Sequence, residues 1–135
     1  MTNRKQSFSF TPAQGVPPHV APFSHATRFG NLLFVTGQMP TDPATAQLVA
    51  GGVVAQAEQV RRNLEAVLAQ FSLTLDDALM VRVYLTSFED YAAFNAAYES
   101  WFRGPLPSRT CVGVTGLAVG ALVEIDLIAG IPETA

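Results

Sequence analysis

Residues 107–114 and 121–128 are rich in β-branched and apolar side chains and are separated by Gly116 and Gly120, which suit a turn. Both arms read as strands, and their spacing predicts that they pair as a hairpin. Successive side chains on a strand point to opposite faces. On the first arm Arg109, Cys111 and Gly113 therefore share a face opposite Thr110, Val112 and Val114. On the second, Leu122, Glu124, Asp126 and Ile128 lie opposite Val123, Ile125 and Leu127. The more apolar face is expected to enter a core, and the other to carry Arg109 on one arm and Glu124 on the next.

That pairing puts a guanidinium and a carboxylate beside a small residue and a thiol. Arg109 reads in more than one way. It is a solvated edge charge, a partner of Glu124 or Asp126, or a receptor for a ligand carboxylate. The last reading has a geometric basis, since the planar fork of arginine matches a carboxylate bidentately and a lysine does not. Glu124 would then handle a proton or hold a water. Cys111 reads first as a small packed residue, with a thiol pKa open to Arg109 two positions away.

The rest of the chain supplies a scaffold. Residues 1–22 are polar and then proline-rich, with a short strand at 7–10 and an extended loop. A second strand is expected near 23–28, a turn at Phe29-Gly30-Asn31, and a nearly continuous apolar strand at 32–36, of the kind buried on both faces. Gly37 follows, where a missing side chain allows a neighbouring strand or a ligand to come close. Ala57, Val60, Leu64, Val67, Leu68 and Phe71 recur at helical spacing and predict a helix over about 54–71, with Gln59 and Arg62 toward solvent. A strand at 79–85 comes next. A second helix opens at the Ser87 cap and carries the stripe Tyr91, Phe94, Tyr98, Trp101 and Phe102 as core, with Asn95 at the margin of the stripe. Two amphipathic helices on one mixed, mostly antiparallel sheet of about six strands make an α+β fold. Residues 1–135 are expected to form a single domain.

Composition narrows the function. The net charge is −3 with a single lysine, Lys5, so no basic footprint for nucleic acid is expected. Only 14% of residues are charged while 49% are hydrophobic, which leaves apolar surface for a homo-oligomer to cover. One cysteine, no signal-like start and no run long enough to span a membrane fit the cytoplasm. His19 and His25 lack companion ligands for a metal, the scattered glycines cradle no phosphate, and no nucleophile elbow surrounds Ser24.

Five motifs then carry a resemblance over roughly residues 10–130. Ala21-Pro22-Phe23-Ser24-His25-Ala26, Thr36-Gly37-Gln38-Met39-Pro40, Asn95 between Phe94 and Tyr98, Pro107-Ser108-Arg109-Thr110-Cys111 and Val123-Glu124-Ile125-Asp126-Leu127-Ile128-Ala129 occur in family order. The chain resembles the Rid family of reactive-intermediate deaminases (YjgF/YER057c/UK114), with Phe23 in place of the family's tyrosine and His25 in place of its glutamine. The resemblance implies a chorismate-mutase-like fold and a homotrimer with active sites between subunits. It also implies hydrolysis of 2-imino or 2-enamino acids to 2-keto acids and ammonia, with neither metal nor organic cofactor. Arg109 would bind the substrate carboxylate and Glu124 would position water, with Phe23, Ser24, Gly37, Asn95 and Cys111 forming the substrate pocket. A dedicated deaminase for 2-aminomuconate or aminoacrylate-type substrates, a non-catalytic trimer that binds small carboxylates, and a ribonuclease are the alternatives.

Overall fold

The structure, a computed structural model, describes residues 4–133. The outermost positions of the expected 1–135 domain, 1–3 and 134–135, lie outside the described residues. The elements follow the expected order: β1 (Gln6–Phe8), β2 (Ala26–Phe29), β3 (Leu32–Gln38), α1 (Val53–Ala69), β4 (Ala78–Leu85), α2 (Tyr91–Glu99), β5 (Ser108–Gly113) and β6 (Val123–Gly130). The six strands form one sheet in the order β1-β2-β3-β6-β4-β5. Every neighbouring pair is antiparallel except β4 and β5. The expected α+β class and mixed sheet are present.

The expected C-terminal hairpin does not form. β4 lies between β5 and β6 and pairs with both, Val81 opposite Arg109 on one side and Tyr84 opposite Glu124 on the other. The reason is the crossover through α2. A helix between two strands returns the chain parallel to the strand it left, so β5 settles at the sheet edge beside β4. β6 then enters on the far side of β4, where β3 also offers an antiparallel partner.

One face of the sheet is packed. Val35, Val81, Val83, Leu85, Val123, Ile125, Leu127 and Ala129 point to it and are at most 3% exposed. They meet Ala57, Val60, Leu64, Val67 and Leu68 of α1 and Phe94 and Tyr98 of α2. Each fully buried aliphatic or aromatic side chain contributes about 1.5–3 kcal/mol of transfer free energy. The other face is open in the single chain. Leu32 and Phe34 of β3 are 41% and 40% exposed there, so β3 is covered on one side only, not on two. Its apolar residues read as a continuous run because both sets are large, yet only Leu33 and Val35 have a helix over them.

Local signals fix the boundaries. Gly30 takes φ 61 in the two-residue turn between β2 and β3. The Ser87 hydroxyl accepts from the amide of Glu89 and caps the 3-10 turn that leads into α2. α2 ends at Glu99, sooner than its aromatic stripe suggests, and Trp101 lies just beyond it with its indole N–H donating to Glu58 of α1 at 2.9 Å.

Candidate functional site

Strand parity decides how the candidate residues are distributed. In a parallel pair, residues directly opposite each other share a face. Arg109 and Cys111 are opposite Val81 and Val83, so they lie on the helix-covered face, at the sheet edge. Glu124 is opposite Tyr84 on the open face. The expectation that Arg109 and Glu124 share a face is therefore corrected. Inserting β4 between them changes which side of β5 matches which side of β6, and within one chain the sheet separates the two groups.

The first cluster forms around Arg109. Its Nη2 donates to the Asn95 side-chain oxygen at 2.7 Å and makes a long contact of 3.5 Å to the Tyr91 hydroxyl. Asn95 was expected at the rim of a pocket, and its place one residue from Phe94 brings it to the guanidinium. The ion pairs among the described residues join Arg61 to Glu58 and Glu65, and Arg82 to Asp126. Arg109 has no carboxylate partner there. Cys111 is half-buried on the same face; burial pushes its thiol pKa up and Arg109 opposes that shift. The thiol is thus held in its neutral form more firmly than a free one.

The second cluster forms around Gly37. A Cβ built on Gly37 would collide with a Glu124 carboxylate oxygen and lie 3.0 Å from the carboxyl carbon. The glycine thus makes room for the carboxylate across the β3–β6 pair, where the register shifts between Val35 and Gln38. Burial, followed by the nearby Asp126, raises the Glu124 pKa. Asp126 is itself engaged, accepting from Arg82 Nε at 2.7 Å and from the Tyr84 hydroxyl at 3.0 Å. Phe23 and Gly37 line a cavity of ≈ 30 Å³, with Pro17, Val20, His25 and Met39 among its walls. Ser24 contributes its backbone, whose carbonyl accepts from the Thr36 hydroxyl at 2.5 Å.

Buried polar residues hold the second cluster in place. Asn63 is fully buried in α1; its amide donates to the carbonyls of Met39 and Thr41, and its oxygen accepts from Gln59. Gln59 therefore points inward, contrary to expectation, because its amide satisfies the oxygen of the fully buried Asn63. His25 Nδ1 accepts from the Phe10 amide at 2.9 Å, which leaves Nε2 to donate to the Pro17 carbonyl at 3.0 Å. Among the described residues no group of three or more His, Cys, Asp or Glu side chains could hold a metal ion. No helix of the described residues is long and apolar enough to cross a membrane.

Sequence reasoning grouped Phe23, Ser24, Gly37 and Glu124 with Arg109, Asn95 and Cys111, and the structure divides them into these two clusters. It missed Asn63 and the two histidine hydrogen bonds. Polar residues on the buried face of a helix were the available signal for Asn63.

Comparison with known proteins gives a consistent result. The family model described as Endoribonuclease L-PSP matches residues 14–131. Protein DfrA of Myxococcus xanthus is 43% identical over 115 residues, covering 84% of this chain and 88% of that protein. The crystal structure of RidA from the Antarctic bacterium Psychrobacter superposes with a TM-score of 0.87 at 33% identity, covering 93% of this chain and 99% of that one. The crystal structure of E. coli TdcF with bound serine gives a TM-score of 0.87 at 28% identity, covering 94% and 100%.

Proposed function

We propose that this chain, which belongs to the Endoribonuclease L-PSP family, the YjgF/Rid family, hydrolyses 2-imino and 2-enamino acids to 2-keto acids and ammonia. The observation that carries the reading is the half-buried Arg109 guanidinium, anchored by Asn95 and with no carboxylate partner among the described residues. A cation held in that way suits an incoming carboxylate, and a charged hydrogen bond to it is worth about 1.5–3 kcal/mol. The serine bound to TdcF, a small amino-acid carboxylate, supports a pocket of that chemistry.

The reaction needs little more than positioning. A protonated imine carbon is already electrophilic, so a strong nucleophile is unnecessary. Water held by Glu124 adds to that carbon, and Glu124 takes the released proton. The resulting carbinolamine receives the proton on nitrogen, the C–N bond breaks, and the hydroxyl becomes the keto oxygen as its own proton leaves. Iminium and water thus give a 2-keto acid and ammonium. A carboxyl group with a raised pKa exchanges protons closer to neutral pH than an ordinary glutamate. The backbone around Gly37 and Cys111 holds the substrate, while Phe23, Ser24 and Asn95 line the pocket.

Arg109 and Glu124 lie on opposite faces of one sheet, so the reading requires a site shared between copies, and a homotrimer in which the β5 edge of one copy meets the open face of the next would supply it. Exposed Leu32 and Phe34 suit such burial. A rival reading, a trimer that binds small carboxylates without turnover, draws on the same serine complex. It predicts that Arg109→Ala abolishes binding and that Glu124→Ala has no consequence. The ribonuclease reading conflicts with a net charge of −3.

An oxidase-coupled assay decides between these. An amino-acid oxidase generates 2-imino acids, and semicarbazide traps what survives. The expected result is loss of trapped imine that depends on both Arg109 and Glu124. Unchanged trapping with every imine offered, 2-aminomuconate and aminoacrylate-type compounds included, rejects the deaminase.

A further inference from the structure

Arg109 reaches the helix side of the sheet edge and stops among three aromatic rings. Its Cζ lies 4.9 Å from the centroid of Tyr98, 5.8 Å from that of Phe94 and 5.8 Å from that of Tyr91. All three distances are within the range at which the quadrupole of an aromatic face attracts a cation. The rings come from positions i, i+3 and i+7 of α2 and so share one helical face. Tyr91 is backed in turn by Phe88, stacked on it at 4.7 Å and 12°.

We infer that Tyr91, Phe94 and Tyr98 form a cage that fixes the pose of the Arg109 guanidinium, with Tyr98 as the principal positioning residue for carboxylate binding. The inference rests on the proposed role of Arg109. The cage is suited to this because it is neutral. A carboxylate partner would hold arginine as firmly, but it would cancel the charge that the ligand needs. Aromatic faces and the Asn95 oxygen orient the guanidinium and leave its positive charge available. The hydrogen bonds to Asn95 and Tyr91 use only Nη2, so Nε–H and both Nη1 protons have no hydrogen-bond partner among the described residues.

Tyr98 acts through its ring, not its hydroxyl. The residue is 6% exposed, and its hydroxyl oxygen is buried with no hydrogen-bond partner. Burial pushes its pKa up to about 12 against the pull of Arg109, so the phenol stays neutral and does not become a counter-ion. The ring also packs against Phe94 and Phe102, which limits its own freedom.

The test uses the full-length protein and two readouts. Pyruvate binding is measured by calorimetry, and KM and kcat are measured in the oxidase-coupled assay, for Arg109→Ala, Tyr98→Leu, Tyr98→Phe and Tyr91→Leu. A cage that serves binding alone acts equally on ground and transition states. Tyr98→Leu is therefore expected to weaken pyruvate and raise KM by about tenfold, with kcat little altered. Tyr98→Phe, which restores a ring face, is expected to recover most of that loss. A merely structural role is also rescued by phenylalanine, which keeps the core packing, but it gives no split between KM and kcat. If Tyr98→Leu does not fold, Tyr91→Leu at an exposed position gives the same pattern at about threefold. Wild-type pyruvate affinity in the folded cage variants, alongside loss in Arg109→Ala, overturns the cage and leaves the proposed function standing. Wild-type affinity in Arg109→Ala as well overturns both.

Discussion

Gly37 and Glu124 share a volume that only one side chain can occupy. A methyl group at 37 would overlap the Glu124 carboxylate and push it off the position from which, in the proposed mechanism, it holds water. The neighbouring atom is the end of a side chain, so the backbone tolerates the change and the chemistry does not. Gly37→Ala is expected to fold normally and to lose on the order of a hundredfold in kcat, the scale of a displacement of about 1 Å at a reacting group. A comparable loss of thermal stability would place Gly37 among structural glycines instead. The carboxyl group itself has a pH signature. Its folded pKa is raised above the ordinary 4.5, by burial first and Asp126 second. If the carboxylate is the form that activates water, the rate rises with pH through that raised value, and Glu124→Gln loses this limb along with most of the activity. Stability has the opposite sign. The folded chain binds the Glu124 proton more tightly than the unfolded chain does, so stability from this group is gained as pH falls from the raised pKa toward 4.5. Glu124→Gln is therefore expected to melt at a higher temperature than wild type at pH 7, and the gap should close on acidification; a gap independent of pH removes the linkage.

The N-terminal segment that carries Phe23 is pinned at Phe10 and Pro17 by the imidazole of His25, which adjoins β2. With Nδ1 accepting from Phe10 and Nε2 donating to Pro17, His25 is locked as a neutral tautomer, and the His19 ring is stacked on it at 4.0 Å. A proton on Nδ1 would face the Phe10 amide proton and break the first bond. Burial, and then the neighbouring His19, lower the His25 pKa below 6.5, while the bond to Pro17 opposes them. A histidine with a depressed folded pKa contributes stability that is complete above the unfolded value and declines as pH falls below it. Stability is thus expected to fall as pH drops from about 6.5 toward the lowered pKa, and His25→Gln should flatten that decline; an unchanged profile in the variant assigns it to other groups. Such an element was only partly legible in the sequence. Period-2 and period-3.6 patterns, Ser87 and Gly30 located six strands and two helices, because those signals are local. The path of β5 was not local. Residues 107–114 and 121–128 read as a hairpin from turn glycines alone, and nothing in their own sequence says that β4 comes between them. The same non-local step hid the division of the candidate residues between the two faces. The aromatic stripe of α2 was read as core, correctly for Phe94, Tyr98 and Trp101, yet the second role proposed for it depends on the guanidinium that β5 brings to it.

At the scale of the whole molecule, the sheet is a partition. Arg109 with Asn95 and Cys111 occupies the helix side at one edge, and Glu124 with Gly37 the open side. In the proposed trimer each site takes its cation from one copy and its carboxylate from another. Neither Arg109→Ala nor Glu124→Ala can then form a working site with copies of itself, but a mixture can. In a trimer assembled at random from equal amounts, an interface has one chance in two of drawing an intact Arg109 and, independently, one in two of drawing an intact Glu124. Mixed trimers, made by unfolding and refolding the two inactive proteins together, are therefore expected to recover about one quarter of wild-type activity. Recovery should peak at equal proportions, because the product of the two fractions is largest there. The two proteins combined without refolding serve as the control for slow exchange. Inactivity at every ratio, with trimers verified by light scattering, would mean that the two groups do not meet across an interface. The role assigned to one of them would then have to be given up.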